Sequence, residues 1–203
     1  MIDQRFVFLA ITLNSLGAVT YVADTLRGTV SPNRVTWFLW AVAPLIAFSA
    51  QVVEGVGLPA LMTFMAGFTP LLVFIASFLN KKSAWQLGRI DIICGLLSVV
   101  GLGLWSVTRT GTVAIIFSIL ADALAAWPTV VKGYRFPATE NYWLFLLSSL
   151  SAIITLMTLK RWDIASAAFP LYILGVSGML FVLIRFNAQV RAAVERPGSG
   201  RGG

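Results

Sequence analysis

The sequence predicts an all-α membrane protein with seven transmembrane helices, arranged as two parallel three-helix repeats joined by a linker helix. Three observations predict this fold. Hydrophobic residues make up 58% of the 203 residues and charged residues only 11%, which is unlike the composition of soluble domains. The apolar residues fall in seven runs, each near the ~20 residues that a helix needs to cross the hydrocarbon. In addition, a polar connector with the same pattern occurs twice.

The seven apolar runs account for most of the chain. They are residues 6–26, 35–53, 56–78, 90–107, 112–131, 142–159 and 164–183. The first run is too long for a signal peptide and lacks a small-residue cleavage site, so it is predicted to be a span. The C-terminal stretch ERPGSGRGG cannot bury a core and is expected to be disordered.

Two connectors, TLRGTVSPNRVTW at residues 25–37 and VVKGYRFPATENYW at 130–143, suggest an internal repeat. The matched residues are Arg27, Gly28 and Pro32 in the first connector and Lys132, Gly133 and Pro137 in the second, at an offset of 105. The third and seventh runs also match, at an offset of 100, which pairs Pro70 with Pro170. We therefore predict a first repeat at 1–80, a linker at 81–111, a second repeat at 112–185 and a cytoplasmic tail at 186–203. A three-helix repeat needs one linking span if its second copy is to be parallel to the first.

The distribution of basic residues predicts the orientation, because short cytoplasmic loops retain Lys and Arg. Eleven bases fall on one side, namely Arg27, Arg34, Lys81, Lys82, Arg89, Lys132, Arg135, Arg185, Arg191, Arg196 and Arg201. Four fall on the other side, namely Arg5, Arg109, Lys160 and Arg161. The N-terminus is therefore expected outside and the C-terminus in the cytoplasm of a plasma (inner) membrane. The net charge of +7 is explained by this topology, and a soluble basic face for nucleic acid is not expected.

Polar side chains at membrane depth mark candidate binding residues, because an ionisable group there is costly and seldom faces lipid. Asp122 lies about ten residues into the fifth run, and Asn14 lies at similar depth in the first. They are predicted to line one cavity from opposite repeats, Asp122 as a substrate or proton site. The alternative is an interhelical hydrogen bond, from Asp122 to Asn14 or Thr129, that only holds the bundle together.

Trp127 precedes Pro128, where a kink would reorient the ring toward a substrate. The alternative places Trp127 in the interfacial aromatic belt, to which Trp37, Trp40, Trp143 and Trp162 are assigned. Four prolines within the spans are hinge candidates, although spanning helices also tolerate proline without motion. They are Pro44, Pro70, Pro128 and Pro170.

The predicted layout is a three-helix repeat, a single linker helix and a second three-helix repeat, with the N-terminus outside. In this layout the chain resembles the SWEET and PQ-loop families of small-solute carriers. In those families, prolines in the first two helices of each repeat act as hinges, which the resemblance assigns here to Pro44 and Pro128. Where sugar-carrying members place asparagines in the third helix of each repeat, this chain has Thr69 and Tyr172. The resemblance thereby adds these two residues to the substrate site. The nicotinamide riboside carriers share the helix arrangement and are a second resemblance.

Enzymatic function is not expected. The chain has no histidine and no GxSxG motif. The number of acidic residues within the spans is too small for a two-metal site. We therefore expect no catalytic residue, metal or cofactor. The predicted function is a carrier of a small polar solute that is facilitative or proton-coupled, with the lipid bilayer and the solute as partners. Oligomeric state is left open, and a receptor or assembly scaffold without transport is the alternative.

Overall fold

The computed structural model describes residues 2–79 and 111–194, together with positions 88–89, 92–93 and 96. Six α-helices lie in the two long ranges: α1 Val7–Arg27, α2 Arg34–Val53, α3 Ala60–Leu79, α4 Gly111–Arg135, α5 Tyr142–Thr158 and α6 Ile164–Val194. Short 3₁₀ turns precede α1 at Gln4–Phe6 and α5 at Pro137–Thr139. The predicted linker span at 90–107 and the end of the predicted tail, 195–203, lie outside the described residues apart from the isolated positions.

Five of these helices are long and apolar enough to cross a bilayer, and α5, with 17 residues, is shorter. The segments that qualify are Gln4–Arg27, Arg34–Val53, Ala60–Leu79, Gly111–Arg135 and Ile164–Ala188. Many large apolar side chains point outward from them, including Val19, Ile75 and Val182. A helix needs about 20 apolar residues to span the hydrocarbon. The protein is therefore an all-α, multi-pass integral membrane protein.

The ends of the helices follow local sequence signals. Gly28 ends α1 with a left-handed conformation (φ 76°), and its N–H donates to the carbonyls of Asp24 and Thr25, as expected of a glycine C-cap. Asn33 and Asn141 begin α2 and α5, and each side-chain oxygen accepts from the backbone N–H groups two and three residues further on. These asparagines start the two helices that follow the connectors.

Two predicted boundaries differ from the structure. Gly133 lies within α4, which continues to Arg135, so it does not end a helix as its predicted match Gly28 does. A Cβ atom at Gly133 would lie 3.0 Å from a side-chain carbon of Ile184, which indicates close packing of α4 against α6. The other difference is that α3 begins at residue 60 rather than 56, because Gly55 and Gly57 have positive φ angles of 71° and 78° and break the helical path.

The six helices form two sets of three with the same internal order. In the first set α3 packs against both α1 and α2, and in the second α6 packs against both α4 and α5. Between the sets, α1 packs against α5 and α2 against α4. The first helix of each set therefore contacts the second helix of the other.

Both connectors lie at the same end of the bundle, which we call the connector end. The backbone N–H of Ser31, between α1 and α2, donates to the carbonyl of Thr139, between α4 and α5, at 3.1 Å. The opposite end brings α2 to α6, where the Gln51 side-chain amide donates to the Ala165 carbonyl at 2.9 Å. Since α1 and α4 both end at the connector end, the two helices are parallel.

Candidate functional site

A small cavity lies between the two sets of helices, near the middle of α1, α3, α4 and α6 and beside the first two turns of α2 and α5. Its volume is about 50 Å³, which is room for one or two water molecules and well below the ~300 Å³ of an ordinary ligand pocket. Residues of α1 to α6 line it: Asn14, Trp37, Trp40, Ala66, Thr69, Pro70, Asp122, Leu144, Phe145, Ser148, Ile173, Val176, Ser177 and Leu180. The structure therefore has a buried, partly polar site that is closed around a very small volume.

Asn14 presents its amide to this cavity from α1. The residue is 2% exposed, and its Nδ2 donates to Ser148 Oγ on α5 at 3.2 Å. Its Oδ1 lies 3.2 Å from Thr69 Oγ1 on α3, but that hydroxyl is also 2.8 Å from the Met65 carbonyl. One hydroxyl proton serves both acceptors, so Asn14 Oδ1 retains capacity to accept from a ligand.

Asp122 faces the same cavity from α4 and is equally buried, at 2% exposed. The Tyr172 hydroxyl on α6 donates to Asp122 Oδ2 at 2.6 Å, and Trp40 Nε1 on α2 donates to the Asp122 backbone carbonyl at 3.2 Å. Asp122 Oδ1 is buried and has no hydrogen-bond partner among the residues that the structure describes. Neither Asn14 nor Thr129, the predicted structural partners, provides these bonds. The site thus contains a carboxylate with one oxygen held in place and one available.

Asn14 and Asp122 each lie on the first helix of a set, at the same distance in sequence before the asparagine cap of the next helix. The same separation, 108 residues, relates Asn14 to Asp122, the cap Asn33 to the cap Asn141, and Trp40 to Ser148. The Asn14 side chain contacts Ser148, while the Asp122 backbone carbonyl contacts Trp40, so the same pairs of positions meet through different groups. The connectors suggested an offset of 105, which paired Asp122 with Gly17. The helix caps revise that pairing by almost one turn.

Two tryptophans that line the cavity, Trp37 and Trp40, were predicted from the sequence to lie at the membrane interface. Trp37 and Trp40 are buried, at 1% and 7% exposed, so their assignment to the interfacial belt was wrong. Their rings meet edge-on at 5.3 Å, and Trp40 meets Phe145 at 6.3 Å. The signal that could have identified them is their spacing of three residues, which places both on one face of α2.

The other predicted site residues are distributed unevenly. Thr69 lines the cavity, and Tyr172 reaches it through its bond to Asp122 while its ring packs on Phe169. Trp127 is 55% exposed and does not line the cavity. Among the hinge candidates, Pro70 lines the cavity. All four, Pro44, Pro70, Pro128 and Pro170, lie inside continuous helices.

A second polar cluster lies at the connector end and was missed by sequence reasoning. Lys132 Nζ and Glu140 Oε1 form an ion pair at 2.6 Å with both side chains 1% exposed. Lys132 also donates to the carbonyls of Ser31 and Thr139, and the Tyr21 hydroxyl donates to Glu140 Oε2 at 2.6 Å. Lys132 was assigned only a role in topology, and one base and one acid in a loop are too common to indicate a buried pair.

Comparison of the chain with protein-family models, curated proteins and solved structures found no match. The site is therefore interpreted from its own chemistry. Within the described residues, no group of three His, Cys, Asp or Glu side chains is placed to hold a metal ion. What the site offers is one carboxylate, one amide, several hydroxyls and a wall of indole and phenyl rings, all closed within the bundle.

Proposed function

We propose that the protein is a membrane carrier that moves a small polar solute by alternating access between two parallel three-helix repeats. The observation that carries this proposal is the equivalence of Asn14 and Asp122. Both are buried, come from corresponding helices and face one cavity. Parallel repeats with the substrate site at their interface are an established way to build a transporter. Intramembrane polar residues that face such a cavity are functional candidates by default.

The chain path supports the proposed layout of three helices, one linker and three helices. Helix α3 ends at the connector end, because Arg34 Nη2 at the start of α2 donates to the Ser77 carbonyl at 2.6 Å. Helix α4 begins at the opposite end, where Gly111 lies close to Glu54 at the end of α2. Leu79 and Gly111 therefore lie at opposite ends of the bundle. The proposed linker span would join these two ends.

Alternating access is supported by how each end of the cavity is closed. At the connector end, the Tyr21 ring packs on Trp37 with centroids 4.6 Å apart, and its hydroxyl binds Glu140. Toward the opposite end, an apolar cluster of residues from both sets fills the bundle: Ala47, Met62, Ala66, Ala152, Phe169 and Ile173. A cavity of about 50 Å³ admits a solute only when one closure opens. The reciprocal contacts between the sets are suited to rocking about the cavity.

The distribution of charge supports an orientation with the connector end in the cytoplasm. Arg27, Arg34 and Arg135 lie at that end with the buried Lys132, as the positive-inside rule requires. The N-terminus would then face outward across a plasma (inner) membrane. Pro44, Pro70, Pro128 and Pro170 remain the candidate hinges, since each removes one backbone hydrogen bond from its helix. Trp127 is the weakest of the proposed site residues because of its exposure.

The test is uptake into sealed proteoliposomes. Solutes that stabilise the purified protein against heat identify candidates, because a ligand that prefers the folded state raises its stability. Labelled candidates are then supplied to vesicles with wild-type protein, Asp122→Asn or Asp163→Asn, the last a surface change of the same chemistry. We expect saturable uptake that is lost in Asp122→Asn and retained in Asp163→Asn. Binding without uptake would contradict the carrier proposal and favour a receptor. Uptake measured with and without an imposed pH gradient distinguishes facilitative from proton-coupled transport.

A further inference from the structure

The charge of the cavity indicates the chemical class of its ligand. Asp122 is the one ionisable side chain among the described residues that line the cavity. Its neighbours from the packed helices are neutral: Asn14 on α1, Trp40 on α2, Thr69 on α3, Ser148 on α5 and Tyr172 on α6. No described residue forms an ion pair with Asp122, and a buried carboxylate without a partner of opposite charge costs several kcal/mol. A ligand of positive charge would supply the missing partner.

Three other acids near helix ends have partners of opposite charge. Glu140 is paired with Lys132 at 2.6 Å, and Asp163 with Arg161 at 2.9 Å. Asp24 lies 3.9 Å from an Arg27 nitrogen. Lys132, a buried base on the same helix as Asp122, is therefore committed to Glu140 and two carbonyls. Asp122 differs from these three acids, because its Oδ1 has no partner among the described residues.

From these observations we infer that the cavity binds a small monovalent organic cation, a protonated amine. The inference rests on the proposed function for its route of entry, but not for the binding itself. Asp122 Oδ1 accepts one N–H of the ammonium group, and the Asn14 carbonyl oxygen accepts a second. The indole rings of Trp37 and Trp40 line the same space, and aromatic faces attract cations, most strongly when the cation is desolvated.

The size of the cavity limits the part of the ligand that it encloses. About 50 Å³ corresponds to one or two water molecules, which suits an ammonium or methylammonium group. A longer substituent on the amine requires one of the two closures to open. Small primary amines are thus the first probes, and bulky quaternary cations are expected to bind more weakly in the closed state.

The binding experiment uses the purified full-length protein in detergent and does not depend on transport. Methylammonium and ethylammonium chloride are compared with their neutral counterparts methanol and ethanol, with sodium acetate as the anion, by calorimetry and by thermal stabilisation. We expect binding of the two amines alone. Asp122→Asn should weaken it about 10- to 100-fold, the value of a hydrogen bond to a charged group, and Asp163→Asn should leave it unchanged.

Each outcome decides between distinct conclusions. Equal binding of an alcohol and its amine, or an Asp122→Asn variant that binds as the wild type does, overturns the inference. So does a response to pH alone with no response to amine. If Asp122→Asn does not fold, the comparison of amine, alcohol and anion on the wild type still decides. Amine binding without transport would support the inference and contradict the carrier proposal. Transport of a neutral solute without amine binding would support the carrier proposal and contradict the inference.

Discussion

The Tyr21 hydroxyl donates a 2.6 Å hydrogen bond to Glu140 Oε2, and this bond joins α1 to the segment that precedes α5. The same carboxylate is paired with Lys132, and the Tyr21 ring packs on Trp37, which lines the cavity. A continuous path of contacts therefore leads from the buried ion pair to the cavity. The connector end is closed by polar bonds between the two sets, whereas the opposite end is closed mainly by apolar side chains.

Breaking the buried pair on one side should destabilise the protein strongly. Lys132→Met leaves Glu140 as a buried charge without a counter-charge, and Glu140→Leu leaves Lys132 in the same state. Each substitution should lower the free energy of unfolding by about 3–5 kcal/mol. The double variant Lys132→Met with Glu140→Leu removes both charges and is expected to be more stable than either single variant. Denaturant unfolding in detergent measures all three. Strictly additive losses would contradict a coupled pair.

Opening of the connector end should be detectable by thiol labelling. With Cys94→Ser as background, Ser148→Cys places a thiol in the cavity, and a membrane-impermeant reagent is applied from the connector side. Labelling is expected to be slow. Tyr21→Phe removes one hydrogen bond to a charged group and should accelerate labelling about tenfold or more. Ala47→Cys, in the apolar cluster toward the opposite end, is the control, and an equal acceleration there would indicate general loosening instead of a local opening.

The equivalence of Asn14 and Asp122 predicts that their side chains can be exchanged. Asn14→Asp combined with Asp122→Asn moves the carboxylate to the other helix but keeps it in the same cavity. Amine binding should be weakened about 10- to 100-fold in Asp122→Asn and should return close to the wild-type affinity in the exchanged protein. Asn14→Asp alone places two carboxylates in one small cavity and should lower stability. No recovery in a folded exchanged variant would show that the two positions are not equivalent.

Close helix contact at Gly67 should make that position intolerant of a side chain. A Cβ there would lie 2.8 Å from Leu45 Cγ and 2.9 Å from the Ala41 carbonyl oxygen on α2. Gly67→Ala is expected to cost about 1–3 kcal/mol through overpacking. Gly175→Ala is the matched control, because a Cβ at Gly175 would meet no atom within 4 Å. The thermal midpoint of each variant measures the difference, and equal midpoints would contradict the close packing.

The helices could be predicted from sequence because they depend on local properties. Long apolar runs, the cap at Gly28 and the depth of Asn14 and Asp122 are all visible in the residues themselves. The boundaries of α3 and α4 were less accurate. A glycine in a connector can end a helix, as Gly28 does, or admit a neighbouring helix, as Gly133 does. Only the approach of α6 distinguishes these two uses.

The aromatic residues show why the site could not be completed from sequence. A tryptophan near the end of an apolar run fits an interfacial belt and a buried wall equally well. Trp37 and Trp40 are buried because Tyr21 of α1 packs on Trp37, while α4 and the Phe145 ring cover Trp40. Trp127 is exposed because the other described helices leave its face of α4 uncovered. Periodicity identifies the face of a helix, but not the partner that will cover it.

By itself, the sequence determined that this is an all-α membrane protein, where its described helices lie and which polar residues sit at mid-depth, because hydrocarbon imposes length and polarity on each segment separately. The tertiary structure decided the rest. It joined Asp122 to Tyr172, enclosed Asn14 and Asp122 in one cavity, and buried Lys132 against Glu140. These contacts depend on the register between helices far apart in the chain, and that register is set by packing of whole faces, which no short stretch of sequence specifies.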